Sequence, residues 1–222
     1  MKQLQLLLAT FALLNFSQAF AGDESGAFSG PYVSIGAGSQ YNNIVNSNVK
    51  ATTGFPSFDQ PSASNHGFLG QVSVGYGFDI GQKFNLSTNL FYNFGDNSVG
   101  DIKATFYQDN VKQELKNSAG ISLSPGYYLN DNTLVFFKVG YARADKQYAR
   151  ETQSINLNNP VNGYLWGIGI KHLITNNIFV GADLTKYNYG DGSQATNLRG
   201  LDVVVSSKAE QTNALISIGY KF

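Results

Sequence analysis

From Ala214 to Phe222 the residues fall into two alternating sets. Ala214, Ile216, Ile218, Tyr220 and Phe222 form one, and Leu215, Ser217, Gly219 and Lys221 the other. Successive side chains of a strand point to opposite faces, so a period of two predicts a two-faced β-strand running to Phe222. The same pattern recurs upstream. Val33, Ile35 and Ala37 alternate with Ser34, Gly36 and Gly38, and Phe68, Val72, Val74, Tyr76 and Phe78 with Gln71, Ser73, Gly75 and Gly77. Phe84, Leu86, Thr88, Leu90, Tyr92 and Phe94 oppose Asn85, Ser87, Asn89 and Asn93, while Ala119, Ile121, Leu123, Tyr127 and Leu129 oppose Ser118, Gly120, Ser122 and Ser124. Val135, Phe137, Val139 and Tyr141 face away from Phe136, Lys138 and Gly140. Tyr164, Trp166, Ile168 and Ile170 face away from Leu165, Gly167, Gly169 and Lys171, and Ile178, Val180, Ala182 and Leu184 from Phe179, Gly181, Asp183 and Thr185. With the terminal strand this makes eight.

The connections alternate in length. Short ones near Asp79 to Lys83, Asn130 to Asn132 and Thr175 to Asn177 carry turn-forming Gly, Asn or Asp. Between them lie polar stretches at about 40–66, 95–117, 143–162 and 188–210. Short turns on one side and four long loops on the other describe an all-β, closed antiparallel transmembrane β-barrel, with short periplasmic turns and long extracellular loops. An even strand number places both termini in the periplasm. Ile102, Ala104 and Phe106 with Val111, Gln113 and Leu115 could flank a hairpin near Asp109-Asn110, protruding above the membrane. A ten-stranded barrel is the alternative if that segment and Leu201 to Val205 both span.

Alternation alone does not say which set faces outward; a soluble carrier barrel would bury its apolar set. Aromatics at both ends of the apolar set decide it. Phe78, Phe84, Tyr127, Tyr220 and Phe222 lie near the short turns, and Tyr92, Phe94, Tyr141, Tyr164 and Trp166 near the long loops. Two aromatic girdles separated by Val, Ile, Leu and Ala match the two interfaces of a bilayer. In lipid every backbone N–H and C=O must be paired internally, so a sheet survives there only when closed.

The N-terminus carries Lys2, an apolar stretch from Leu6 to Phe16, and Ala19-Phe20-Ala21. This pattern predicts a secretory signal peptide over 1–21 with cleavage after Ala21, leaving the barrel domain at 22–222. The chain has 15 basic side chains, one of them Lys2, against 15 acidic, so no strong field favours nucleic acid. With no Cys there is no disulfide framework and no thiolate metal site.

The terminal strand Leu215-Ile216-Ser217-Ile218-Gly219-Tyr220-Lys221-Phe222 and the opening strand Gly30-Pro31-Tyr32-Val33-Ser34-Ile35-Gly36-Ala37-Gly38 resemble those of the small outer-membrane β-barrel family. That family includes the opacity-type and the OmpX- and OmpA-like barrels, and is porin-like in build. The resemblance implies a bacterial outer-membrane location, surrounded by outer-membrane lipid and lipopolysaccharide. It also implies recognition of the terminal aromatics, Tyr220 and Phe222, by the outer-membrane assembly machinery. It supports adhesion as a function, although fold does not fix function.

Candidate chemistry is sparse. Of the two His, His66 is expected in the first loop and His172 near a periplasmic turn, too far apart for a triad or a metal site. No catalytic residue, metal ligand or cofactor-binding residue is expected. The Gly-x-Gly pairs at Gly36, Gly75 and Gly167 lie within strands, where bare backbone clears space inside a narrow barrel. Lys138, Lys171, Asp183 and Lys221 fall on the inward set, and Asp183 should pair with a Lys, because an unpaired buried charge is costly. Such a network is either a gated ion path or a filler that fixes register. The inward Phe91, Leu134, Phe136, Leu165 and Phe179 favour a plugged interior. Phe55-Pro56-Ser57-Phe58-Asp59, Phe106-Tyr107, Tyr187 and Tyr189 stand in the loops. There they suit either a binding surface or a cover over the barrel mouth. The expected function is therefore non-enzymatic, with surface loops of a monomer engaging a host or envelope ligand. The alternatives are a narrow porin-like channel and surface binding of a haem-type ligand through His66.

Overall fold

Strand hydrogen bonding runs without a break around the computed structural model, which describes residues 26–51, 58–60, 64–95, 98–104, 109–150, 157–198 and 201–222. In chain order the strands are β1 (Gly30–Ala51), β2 (Phe58–Gln60), β3 (Ser64–Ile80), β4 (Phe84–Phe94) and β5 (Ser98–Ala104). There follow β6 (Asp109–Asn130), β7 (Thr133–Arg150), β8 (Leu157–Leu173), β9 (Ile178–Leu198) and β10 (Leu201–Lys221). Each long strand pairs antiparallel with the next, and β10 returns to β1 from Tyr32↔Lys221 to Ala51↔Val203. Eight strands thus close the barrel, while among the described residues β2 pairs only with β1 and β5 only with β6. The ten-strand alternative fails because Leu201 to Val205 extends β10, and because β5 and the start of β6 form a hairpin with Ile102 opposite Val111. Asp109 and Asn110, the expected turn, are instead paired in its ladder with Ala104 and Lys103.

The alternation sets the faces as expected. Ile35, Phe68, Leu90, Ile121, Tyr141, Ile168, Leu184 and Ile218 are exposed on the outer wall, whereas Leu69, Phe91, Leu134, Leu165, Phe179 and Leu215 are buried inside. On β4 the exposed apolar set runs from Phe84 to Phe94. Ten residue steps at roughly 3.3 Å, tilted by about 40°, make a band near 25 Å tall. That matches the lipid-facing band of an outer-membrane barrel. Above it, the Lys186–Glu210 ion pair at 2.9 Å marks where the outer wall turns polar.

The segments expected as loops at 40–66, 95–117, 143–162 and 188–210 are largely strand. β1 continues to Ala51, β7 to Arg150 and β9 to Leu198. Beyond the bilayer a strand needs no apolar outer set, so its Asn, Ser and Gln look like loop in sequence while ladder pairing persists. The bond from Phe222 N to Pro31 O (3.0 Å) and that from Asn177 Nδ2 to Lys221 O (2.8 Å) secure the last residues on both sides.

Candidate functional site

The lumen is where residue chemistry concentrates. Two glycines on β8 set its geometry: Gly167 pairs with Lys138 of β7 on one side, and Gly169 pairs with Asp183 of β9 on the other. With no side chain between them, Lys138 reaches across β8 and its Nζ lies 3.1 Å from Asp183 Oδ2. Both side chains are only 13% exposed, and Thr185 Oγ1 donates to the same carboxylate oxygen at 2.8 Å. A Cβ on Gly169 would come within 2.3 Å of the Phe136 ring and 2.8 Å of Asp183 Cβ, so a side chain there would collide with both. The expected pairing of Asp183 with a Lys is present, and its partner is Lys138.

The other two inward lysines go elsewhere. The Lys171 ammonium stands 4.2 Å from the centroid of the Tyr32 ring, 5.5 Å from that of Phe179 and 5.6 Å from that of Phe136. A cation over aromatic faces is attracted by their quadrupoles, which partly replaces lost hydration. Lys221 lies toward the short-turn end, opposite Tyr32 of β1. The four charges expected as one lumenal network are therefore one ion pair, one ring-bound lysine and one separate basal lysine. The parity that turns all of them inward does not fix their heights along the barrel axis.

Aromatic layers fill the lumen on either side of the ion pair. In the lower layer Phe179 meets Phe28 and Tyr32 edge-on, at centroid distances of 6.0 and 5.7 Å. Phe28 precedes β1 and enters the barrel from the short-turn end. Tyr128 Oη receives the Phe28 N–H at 3.0 Å, and Asn85 Nδ2 donates to Phe28 O at 3.4 Å. Asp79 Oδ1 anchors this group, accepting from Tyr128 Oη and Asn85 Nδ2 at 2.7 Å each. Glycines receive the rings: a Cβ on Gly219 would stand 2.1 Å from Phe179, and one on Gly75 2.5 Å from Tyr32. In the upper layer Phe91, Leu165, Tyr187 and Tyr189 pack together, and Asn93 binds Tyr187 Oη and Ser118. Tyr187 and Tyr189 are buried at 2% and 3% exposure, which corrects their reading as exposed loop aromatics. They carry the inward parity of Asp183 and Thr185 past the apolar band, and that continuity was the signal that could have placed them. Phe28 and Asp79 were missed because one precedes the first strand and the other borders a turn.

His66 sits on the outer face of β3, its ring 4.8 Å from that of Tyr41, rather than in a loop. His172 is exposed on β8 near the opposite end, with Thr133 Oγ1 2.9 Å from its Nδ1. The structure therefore does not bring the two together. The expected girdle residues Phe78, Phe84, Tyr127, Tyr220 and Phe222, and Tyr92, Phe94, Tyr141, Tyr164 and Trp166, are all exposed on the outer wall. The rings of Tyr220 and Phe222 meet edge-on at 5.2 Å. Phe55, Phe106 and Tyr107 lie outside the described residues, as does the side chain of Phe58.

The family model for the outer membrane protein beta-barrel domain matches residues 6–222. No curated protein matches the sequence. Among solved structures, the outer membrane protein OprG from Pseudomonas aeruginosa is similar at 13% identity and TM-score 0.50, over 89% of this chain and 98% of that one. A major outer membrane protein from Thermus thermophilus aligns at 12% identity and TM-score 0.51, over 86% and 99%. Ail, the attachment invasion locus protein of Yersinia pestis, aligns at 12% identity and TM-score 0.43, over 87% and 99%. At these identities the likeness is one of fold alone. Closed topology, the outward apolar band and the family match converge: the chain belongs to the outer membrane protein β-barrel family, and its place is the bacterial outer membrane.

Proposed function

We propose that the protein is a non-enzymatic barrel with a closed lumen, and that its work is adhesion, done by the strand extensions and loops above the membrane. The observation that carries this reading is the filled interior: Phe179, Leu134 and Leu165 are each at most 2% exposed, in layers below and above the Lys138–Asp183 pair. An eight-stranded barrel is only just wide enough for side chains to fill. A rigid, blocked scaffold leaves specificity to what it displays, since loops vary freely over a fixed frame. The separation of His66 from His172 supports a role without catalysis, because a nucleophile and its base must lie within hydrogen-bond reach. A porin-like channel is the rival reading, and haem-type ligand binding through the outward His66 is a weaker one.

The two aromatic rings of the outer wall serve as interfacial girdles in this reading. Residues 1–21 serve as an export signal cleaved after Ala21. Tyr220 and Phe222 serve as the mark read by the assembly machinery, and the folded barrel works as a monomer in lipid and lipopolysaccharide.

The test is attachment of cells expressing the protein to a cultured epithelial monolayer. Replacing 52–57 and 105–108 by Gly-Ser turns leaves the barrel strands intact. Attachment should exceed that of vector-only cells and return to their level in the replaced variant, with equal surface amounts of folded barrel. Equal attachment by all three would sink the adhesion reading.

A further inference from the structure

Between the two aromatic layers lies a narrow chamber, a cavity of about 40 Å³. Its wall carries the side chains of Lys138, Lys171 and Asp183 together with several serine hydroxyls. Asp183 is already engaged by Lys138 and Thr185, and Ser34 and Ser73 bond each other at 2.7 Å. Among the remaining donors, three stand out. Ser122 Oγ and Ser124 Oγ are buried, each in a residue 2% exposed, and have no partner. The Lys171 ammonium has aromatic faces beside it, and no carboxylate among the described residues forms an ion pair with it.

Two lysines against one aspartate place one more positive than negative side chain on the chamber wall. Lys171 is half-buried, and aromatic faces soften the cost of its partly desolvated charge without neutralising it. A water could accept from the hydroxyls and the ammonium, but it would leave that charge in place. The group that complements such a wall is an acceptor with a single negative charge, small enough for the space. A cavity needs about 10–15 Å³ to admit one water, and a halide ion is only slightly larger than a water molecule. We propose that the chamber is a binding site for one small monovalent anion, a halide such as chloride. Lys171 balances its charge, and Ser122 and Ser124 donate hydrogen bonds to it.

The aromatic layers above and below imply that the ion is enclosed as the barrel folds, so the probe should be present during refolding. The protein is refolded and crystallised in detergent with sodium bromide, and diffraction is measured at the bromine absorption edge. An anomalous peak beside Lys171 and Ser122 is expected, and it should vanish in Lys171→Met. Density in the chamber without anomalous signal, or an unchanged peak in the variant, would overturn the proposal. Urea unfolding provides a second reading, with bromide exchanged at constant ionic strength for gluconate, which is too large for the chamber. Above the dissociation constant, a tenfold rise in bromide should raise the folded-to-unfolded ratio about tenfold. Lys171→Met should show no such dependence, and its absence from the unmodified protein would also overturn the site.

Discussion

Phe179→Ala is expected to lower the unfolding free energy of the barrel by about 3–5 kcal/mol. Phe179 is 1% exposed and is the shared ring of the lower layer, touching both Phe28 and Tyr32 edge-on. Its removal forfeits the transfer energy of the side chain and leaves a cavity that cannot collapse. The wall around it is fixed by continuous ladders, with Ile218 opposite Val180 and Gly219 opposite Phe179 itself. Aromatic contacts of this kind are worth about 0.5–1.5 kcal/mol each beyond their buried area. Urea unfolding of the refolded protein in lipid vesicles measures the loss, followed by the fluorescence of Trp166, the one tryptophan of the chain. A change below about 1 kcal/mol would mean that the lower layer is loosely packed.

Asp183→Leu should destabilise the barrel by a similar amount, about 3–5 kcal/mol, because Lys138 then remains inside without its partner. The second substitution separates this cause from a loss of packing. Lys138→Met combined with Asp183→Leu removes both charges and should restore stability to near that of the parent or above it, since well-packed apolar replacements of buried pairs are often neutral or favourable. Unfolding of the single and double variants gives the coupling directly. Salt should change it little, because a pair that is 13% exposed on each side is poorly screened. Additive losses would show instead that Lys138 finds water once Asp183 is gone.

The sequence carried most of the wall and less of the filling, for a physical reason. Where Ile216, Ile218 and Tyr220 meet lipid, the demand for an apolar outer set writes the strand parity into the residues. The inward positions follow from it, as at Phe91, Leu134 and Leu165. Above the bilayer that demand ends. Lys186 and Asn188 can stand on the outer wall, and Tyr187 and Tyr189 therefore look like loop residues although they keep the inward parity. Which charges pair is a further step, because it depends on register. Lys138 reaches Asp183 only because Gly167 and Gly169 fall between them on β8. Phe28 had no period to betray it, since its place depends on Tyr128, Asn85 and Gly77 far along the chain. A Cβ on Gly77 would lie 2.0 Å from Phe28 O, so this part of the lumen is shaped around the incoming segment.

The closed lumen is the claim on which the functional reading rests, and ion conductance addresses it most directly. The refolded protein, inserted in a planar lipid bilayer under applied voltage, should show no single-channel steps. Reproducible steps of uniform size would contradict the closed lumen and make the protein a channel.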